Sequence, residues 1–342
     1  MNRTQHTALA TGALLLAGTL LSRARRTHRR IEFAGRSVIV TGGSRGLGLL
    51  MARQLVEEGA WVTIAARDQE ELERARADLQ ARGGSAHIMV CDIGEPGQAE
   101  RLVREVLEYC GRVDVLINNA GVMKVGPIDH MVEADFAEAM AVHFWGPLRA
   151  TLAVIPAMRN QGGGRIVNVS SIGGKIGVPH LTPYCASKFA LTGLSDSLRA
   201  ELARDNIQVT TVCPGMMRTG SPFNAWFKGR HREEFTWFAI ADSIPVASIA
   251  GQRAAAQVLD AARYGDAELV ITLPAKLAVV ANALVPDLVA FAMSTANTAV
   301  LPDTDDEAGT EARSGWQSLS SWAPSRLTRL TERAATENNE LP

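Results

Sequence analysis

The 342-residue sequence carries almost no net charge, few cysteines and few aromatic residues. Its 35 Lys and Arg residues nearly balance its 36 Asp and Glu residues, so the formal charge of -1 gives no electrostatic case for a nucleic-acid partner. The cysteines, Cys91, Cys110, Cys185 and Cys213, show neither disulfide nor metal-ligand spacing. We therefore expect reduced, packed thiols, no metal centre and a reducing compartment.

An apolar run of full membrane-spanning length is also missing. Residues 7–21 are uncharged and largely apolar, whereas a complete crossing needs about 20 residues. Five arginines between positions 23 and 30 follow this run at once, which disfavours a cleaved secretory signal. We expect an anchor that holds the arginines, and the remaining chain, on the cytoplasmic side. A membrane-surface helix or a disordered leader is the alternative.

Apolar segments of strand length alternate with helical segments from residue 37 onward, and the 46% hydrophobic content is ample for a core. Strands are predicted at residues 37–41, 61–65, 86–91, 113–118, 165–169, 206–213 and 268–272. Helices are predicted at residues 47–58, 69–82, 98–109, 135–158 and 248–264. This alternation predicts an α/β fold, a Rossmann-type doubly wound parallel sheet of about seven strands in a single domain.

A glycine-rich stretch, TGGSRGLG at residues 41–48, connects the first strand to the first helix. Without side chains at Gly42, Gly46 and Gly48, the backbone can bend tightly and approach a pyrophosphate. The following helix directs its amino-terminal dipole at that charge. The stretch therefore predicts a dinucleotide-binding loop.

The second predicted strand ends at Ala66 and Arg67, where NAD-binding sequences usually place an acid. No carboxylate there would repel a phosphate, and Arg45 lies in the glycine-rich loop nearby. A guanidinium suits a phosphate well. The arginines are therefore candidates for binding the 2′-phosphate of NADP(H), and two solvated arginines are the alternative.

Tyr184 and Lys188 are four residues apart, so a helix would present both side chains on one face. A nearby lysine ammonium favours the phenolate and lowers the pKa of a tyrosine from about 10. Ser171 ends an apolar strand upstream, where its hydroxyl could hold a carbonyl oxygen while Tyr184 protonates it. The alternative is an ordinary exposed helix pair and a serine that only ends a strand.

Together with NNAG at residues 118–121 and PGMMRT at residues 214–219, these motifs resemble the short-chain dehydrogenase/reductase family over residues 36–273. The resemblance implies an NADP(H)-dependent oxidoreductase that interconverts a carbonyl and an alcohol. It implies catalysis by Ser171, Tyr184 and Lys188, with Lys188 also holding the nicotinamide ribose. The cofactor contacts it implies are Gly42, Ser44, Arg45, Gly46, Leu47, Gly48, Arg67, Asp92, Ile93, Asn119, Ala120, Gly121, Tyr184, Lys188, Pro214, Gly215 and Thr219.

One position departs from the family pattern. An asparagine usually stands three residues before a glycine in the helix predicted at 135–158, but this chain has His143 before Gly146. The family asparagine holds a water that links the lysine to solvent, partly through its main-chain carbonyl. His143 keeps that carbonyl, and its side chain is either a proton relay of its own or a packed histidine without a chemical role.

Four segments are expected in the domain organisation: an anchor with a basic segment (1–31), the catalytic domain (32–273), apolar helices (274–301) and a polar, largely disordered tail (302–342).

Six aromatic residues between positions 220 and 244 predict a mobile lid over a lipophilic substrate, or a lid that rests on the bilayer. Pro286 predicts two short helices in the apolar segment rather than one. These helices would line the cleft, join subunits of a homo-oligomer or contact the membrane. A short helix is expected in the tail at residues 324–335.

Two further functions remain open at this point. A membrane-tethered dinucleotide sensor or scaffold would keep the fold without the chemistry, and only His143 favours it. An NAD-linked alcohol oxidase is disfavoured by Ala66 and Arg67. Because Ser171, Tyr184 and Lys188 are all present, we expect an enzyme.

Overall fold

The structure, a computed structural model, describes residues 26–304 and 309–341. Its strands are β1 Ser37–Thr41, β2 Trp61–Ala66, β3 Ala86–Val90, β4 Val115–Asn118, β5 Lys124–Val125, β6 Gly164–Val169, β7 Ile207–Pro214, β8 Met216–Arg218, β9 Trp226–Phe227, β10 Ser248–Ala250, β11 Glu268–Ile271 and β12 Arg313–Ser314. Its helices are α1 Gly46–Glu57, α2 Gln69–Ala81, α3 Gln98–Cys110, α4 Glu133–Met140, α5 Gly146–Asn160, α6 Thr182–Leu202, α7 Ser221–Asn224, α8 His231–Ser243, α9 Gly251–Tyr264, α10 Leu273–Leu284, α11 Pro286–Ala299 and α12 Arg329–Glu337.

Seven strands form one parallel sheet in the order β11, β7, β6, β4, β1, β2, β3. The predicted doubly wound sheet is confirmed, and each predicted strand is present to within about two residues at either end. From β1 the chain adds β2 and β3 on one side of the sheet and then β4, β6, β7 and β11 on the other. The order of strand addition therefore reverses between β1 and β4. In such sheets the crevice at the carboxyl ends of these two strands is the usual ligand-binding position.

Both faces of the sheet are covered by helices, as the continuous apolar strands require. Along β1, Val38 and Val40 pack into the core under α1 and α9, whereas Ile39 packs into the core under α3 and α5. All three side chains are fully buried. This alternation is the two-residue period of a strand buried on both sides.

Polar side chains lie where β4 and β6 end. The Asn118 Nδ2 donates to the Asn168 Oδ1 at 2.8 Å, and the two residues are aligned partners in adjacent strands. This buried bond joins neighbouring strands at the edge of the crevice.

The helix predicted at residues 135–158 is interrupted. The chain forms α4, then a π-helical turn at Ala141–Trp145, then α5. A π turn adds one residue to a helical circuit and often marks a functional position. The turn contains His143, so the irregularity coincides with the departure from the family pattern.

The apolar segment forms two helices, α10 and α11, that meet at Pro286, as predicted. Several large apolar side chains on them are more than half exposed: Leu273, Leu277, Val280, Leu284, Leu288 and Phe291. Within the described residues no helix is both long and apolar enough to cross a membrane. The anchor predicted at residues 7–21 lies outside those residues.

The carboxyl-terminal tail differs most from expectation. Residues 309–341 are packed, and the helix in this region, α12, begins several residues later than predicted. Phe223 and Phe235 of the predicted lid are buried in a small core that also contains Ala323 and Ala335 of the tail. Trp316 stacks on Phe223 at a ring-centroid distance of 4.8 Å. The expectation of a largely disordered tail is wrong for these residues because the lid aromatics supply the apolar surface that the polar tail itself lacks.

Candidate active site

A cavity of about 630 Å³ opens at the carboxyl edge of the sheet. The predicted site residues that line it are Gly42, Ser44, Arg45, Gly46, Leu47, Arg67, Asp92, Ile93, Asn119, Ala120, Gly121, Ser171, Tyr184, Lys188, Pro214, Gly215 and Thr219. Gly48 and His143 lie behind its wall. The fold therefore brings the separate motifs of the sequence together in one cleft.

The glycine-rich loop is constrained by its neighbours. Gly42 has a positive φ of 64°, and a Cβ built on it would lie 2.8 Å from the Cα of Ala120. A Cβ on Gly48 would lie only 2.0 Å from the carbonyl oxygen of Gly42. The Asn119 Nδ2 donates to the carbonyl oxygens of Thr41 and Gly42, both at 3.1 Å. These contacts hold the loop so that α1 begins at Gly46 with its first N–H groups facing the cleft.

Ser171 and Tyr184 meet at the other end of the cleft. Ser171 lies two residues after β6, and its hydroxyl accepts a hydrogen bond from the Gly173 N–H at 3.0 Å. Tyr184 lies in the first turn of α6 and lines the cleft together with Ser171. Burial raises the pKa of Tyr184 to about 12, and the Ser171 side chain lowers it by a smaller amount. The phenol is therefore protonated at neutral pH.

Lys188 lies one helical turn after Tyr184 and is only 4% exposed. Its Nζ lies 5.6 Å from the centroid of the Tyr184 ring and donates to the Val169 carbonyl at 2.8 Å. Burial lowers the pKa of Lys188 to about 7. Burial outweighs the expected lowering of the tyrosine pKa by this lysine, because it is the largest influence on the pKa of both groups.

His143 is fully buried, and both of its ring nitrogens are engaged. The Val122 N–H donates to Nε2 at 3.1 Å, so Nε2 carries no proton and Nδ1 does. Nδ1 therefore donates to the Ser187 hydroxyl at 2.7 Å, and that hydroxyl donates to the Tyr184 carbonyl at 2.8 Å. Burial, and to a lesser degree Lys188, lowers the pKa of His143 well below its ordinary value. This geometry leaves no ring nitrogen available for proton exchange, which favours the packed histidine over the relay.

The adenosine end of the cleft holds Asp92 and the two predicted arginines. The Asp92 carboxylate accepts from the Gly94 N–H at 3.0 Å. Arg67 is exposed. Arg45, by contrast, is paired with Glu71 of α2 at 2.7 Å, and the Ser44 hydroxyl donates to the other oxygen of that carboxylate at 2.9 Å.

The PGMMRT motif lies on the opposite wall. β7 ends at Pro214, and the Gly215 N–H donates to the Ile271 carbonyl at 3.1 Å. A Cβ on Gly215 would lie 2.6 Å from the Thr272 hydroxyl oxygen, so this turn accepts only glycine without a shift. Thr219 is buried and lines the cleft.

The acidic residues of the cleft that sequence analysis missed include Glu71, Asp242 and Glu340. Asp242 and Glu340 are each 4% exposed. Burial raises the pKa of Asp242 to about 8 and the pKa of Glu340 well above its ordinary value. No local motif marks these residues, since each reaches the cleft from an element remote in sequence.

The short chain dehydrogenase family profile matches residues 36–225. The chain belongs to this family. It is 35% identical over 223 residues to the dehydrogenase/reductase SDR family protein 7-like of Anopheles gambiae, covering 64% of this chain and 69% of that protein. It is 37% identical over 207 residues to rat dehydrogenase/reductase SDR family member 4, covering 60% and 74% respectively.

Among solved structures, a short-chain type dehydrogenase/reductase from Mycobacterium marinum superposes with a TM-score of 0.61 at 26% identity. The match covers 70% of this chain and 95% of that one. The protein is thus an oxidoreductase of the short-chain dehydrogenase type, a family that acts on alcohols or carbonyls with a nicotinamide dinucleotide. The glycine loop, the amino-terminal end of α1 and Asn119, which bonds to the loop, fit the pyrophosphate and adenosine of such a cofactor.

Proposed function

We propose that this short-chain dehydrogenase interconverts a lipophilic carbonyl compound and its alcohol, with NADP(H) as the cofactor and Tyr184 as the proton donor and acceptor. The observation that supports this most directly is that Ser171, Tyr184 and Lys188 line one cleft, with the Lys188 Nζ 5.6 Å from the centroid of the Tyr184 ring. Hydroxyls that face the same cleft can both reach one substrate oxygen placed between them.

In the reductive direction, the Ser171 hydroxyl donates a hydrogen bond to the substrate carbonyl oxygen. Tyr184 gives its proton to the same oxygen as negative charge develops there. The hydride for the carbonyl carbon would come from a dihydronicotinamide held in the cleft. In the oxidative direction Tyr184 takes the proton from the alcohol.

Lys188 acts on the charge that Tyr184 acquires. When Tyr184 has given up its proton, the buried Lys188 ammonium, 5.6 Å from the centroid of its ring, stabilises the phenolate. Because the pKa of Lys188 is about 7, this side chain loses its positive charge as the pH rises through neutrality. We therefore expect carbonyl reduction to slow as the pH rises through about 7.

The choice of NADP(H) rests on Arg67 and Arg45. Arg67 is exposed at the end of β2, and Ala66 stands where an NAD-type acid would. Arg45 reaches the same region from the glycine loop, although it is held by Glu71. A 2′-phosphate would replace this carboxylate as the partner of Arg45 and of the Ser44 hydroxyl.

NAD(H) is the second candidate, because Glu71 holds both groups that would bind a phosphate. A carboxylate in this position favours a ribose with a free 2′-hydroxyl and repels a 2′-phosphate. Comparison of the two cofactors with the same protein decides between the candidates.

The proposal of a lipophilic substrate rests on the cleft wall beside Tyr184. Met123, Val178 and Trp237 pack with Tyr184 against the lid core and line the cavity. Leu181 and Phe238 complete this apolar wall. A carbonyl compound with an aliphatic or aromatic body would bury its apolar surface here.

We also propose that the protein associates with membranes through residues 7–21 and the arginines that follow them. The exposed apolar side chains of α10 and α11 support contact with lipid. Cell fractionation of the full chain beside a variant without residues 1–25 tests this: a variant that stays in the membrane fraction contradicts the role of the segment.

The proposed chemistry is tested with the full chain, a panel of lipophilic aldehydes and ketones, and NADPH or NADH. Tyr184→Phe is expected to remove turnover while NADPH binding stays within about twofold of wild type. Tyr109→Phe is the matched control, because Tyr109 is exposed on the outer side of α3. Substantial turnover by Tyr184→Phe would overturn the role of Tyr184, and a preference for NADH would overturn the choice of NADP(H).

A further inference from the structure

The last described residues of the chain lie on the dinucleotide-binding loop. The Gly46 N–H donates to the Asn338 carbonyl oxygen at 3.0 Å. The Asn339 Nδ2 donates to the carbonyl oxygens of Ser44 and Glu71 at 2.9 and 3.1 Å. Gly46 is the first residue of α1, so its N–H has no partner within the helix and belongs to the set that would face a pyrophosphate.

The Glu340 carboxyl group enters the cleft between two glycines. A Cβ built on Gly46 would lie 2.7 Å from Oε1, and one built on Gly220 would lie 2.8 Å from Oε2. The Asn224 Nδ2 donates to Oε2 at 2.9 Å. The open space that these glycines provide beside the loop is therefore filled by a carboxyl group.

Contacts outside the cleft hold the segment in this position. The Arg53 Nη2 donates to the Glu337 carbonyl at 2.9 Å, and the Arg74 Nε donates to the Asn339 Oδ1 at 2.9 Å. The Thr331 and Ser243 hydroxyls are hydrogen-bonded at 2.6 Å. The docked segment is thus held by α1, α2 and α8 as well as by the loop.

The docked segment takes the space and the donor that a bound pyrophosphate would use. Glu340 and Asp242 are both buried in the cleft, and the Asp242 Oδ2 has no hydrogen-bond partner among the described residues. A pyrophosphate at the Gly46 N–H would meet the Glu340 carboxyl group, whose Oε1 lies 2.7 Å from a Cβ built on Gly46. It would also need the donor that the Asn338 carbonyl uses.

We propose that residues 338–340 and the pyrophosphate of the dinucleotide compete for one site at the glycine-rich loop. The carboxyl-terminal segment is an intramolecular acidic peptide ligand of the cofactor site, and it leaves the loop when the dinucleotide binds. Glu340 and Asn338 thereby set the apparent affinity for the cofactor. The inference rests on the dinucleotide chemistry of the proposed function and not on its substrate.

Glu340 makes the competition dependent on pH. The groups that face it are Asp242 of α8, Glu71 of α2, Arg45 of the loop and the neutral amide of Asn224. Burial raises the pKa of Glu340 most, Asp242 and Glu71 add to the rise, and Arg45 opposes it. A raised pKa means that the docked form holds its proton more tightly, so docking is strongest at low pH and weakens as the pH rises.

The test measures the Kd for NADPH and for NADH by fluorescence titration without any substrate. Deletion of residues 338–342 is expected to lower the Kd at least tenfold, and Glu340→Ala to lower it by a smaller factor. Glu340→Gln keeps an acceptor for Asn224 without the charge, so it is expected to raise the Kd and to remove the dependence of the competition on pH. Glu337→Gln is the matched control, because Glu337 is exposed on the same segment.

A synthetic peptide of residues 329–342 is expected to inhibit NADPH binding to the deletion variant competitively. If the deletion lowers the Tm and so destabilises the fold, the peptide experiment and Glu340→Ala still test the competition. An unchanged or higher Kd in both the deletion and Glu340→Ala would overturn the inference, since the segment would then be part of the cofactor-binding wall. Failure of every form to bind a dinucleotide would instead overturn the cofactor assignment itself.

Discussion

The two ends of the cleft differ in how their polar groups are engaged. At the catalytic end, Ser171 bonds to the Gly173 N–H two residues further on, and Lys188 bonds to the Val169 carbonyl of β6. At the dinucleotide end, Arg45 and Ser44 bond to Glu71, and the Gly46 N–H bonds to Asn338. The partners at this second end come from other elements and sit where the ligand would sit.

This difference shows that one end is organised before any ligand arrives, whereas the other must exchange protein partners for ligand partners. Exchange costs the free energy of the contacts that are given up. We therefore expect variants at the catalytic end to change turnover and variants at the dinucleotide end to change affinity.

The largest effect is expected from Ser171→Ala. Loss of one hydrogen bond to the developing negative charge typically lowers kcat by about 10²–10³-fold. The Kd for the dinucleotide should stay near the wild-type value, because Ser171 makes no contact with the glycine loop. Steady-state kinetics and fluorescence titration measure the two quantities.

Ser197→Ala is the control for this prediction, since Ser197 lies on the exposed side of the same helix as Tyr184 and its hydroxyl donates to the Gly193 carbonyl of that helix. It should leave kcat unchanged. If Ser171→Ala weakened dinucleotide binding as strongly as turnover, the two ends of the cleft would not be independent.

A smaller effect is expected from Glu71→Gln at the dinucleotide end. Removal of this charge frees Arg45 and removes repulsion of a 2′-phosphate, so the preference for NADPH over NADH should rise by about tenfold, or about 1.4 kcal/mol. The ratio of the two kcat/KM values measures it. Glu73→Gln, on the exposed side of α2, is the control, and an equal change there would refute the role of Glu71.

The smallest effect on catalysis, but a clear one on stability, is expected from His143→Asn. The folded protein holds His143 neutral because burial lowers its pKa, whereas the unfolded chain takes up a proton below pH 6.5. The contribution of His143 to stability is therefore complete above pH 6.5 and is lost as the pH falls. Urea unfolding between pH 5 and 8 should show a shallower loss in the variant.

Loss of the bonds to Val122 and Ser187 should also lower the free energy of unfolding by about 1–3 kcal/mol. His28→Asn, at an exposed position, is the control and should keep the wild-type pH dependence. An inflection in the pH–rate profile that disappears only in His143→Asn would revive the proton-relay role.

The sheet was predictable because its strands are short apolar runs separated by turn signals. This pattern is local in sequence and does not depend on which elements pack against each strand. The strand at residues 37–41 is an example: its three central residues are apolar, and the structure buries every residue of it. The π turn around His143 was not predictable, since one extra residue in a helical circuit leaves the apolar period almost unchanged.

The predicted lid is a second feature that the sequence indicates only in part. Aromatic residues at 223, 227, 235 and 238 signal a buried apolar surface, but sequence does not say what buries them. The structure fills that role with residues 316–335 of the tail, so the side chains expected over a substrate lie mostly in a core. The segment that seemed too polar to fold is ordered by contacts that it could not form alone.

Sequence by itself determined the fold, the family and the positions of Ser171, Tyr184 and the glycine loop, because each depends on spacing within one strand–turn–helix unit. Only the tertiary structure revealed that Glu71, Asp242 and Glu340 share a cleft with them. These acids come from three elements far apart in the chain, and their pKa values and competition with a ligand arise from burial and proximity. Both are properties of the packed molecule, and no local pattern of residues encodes them.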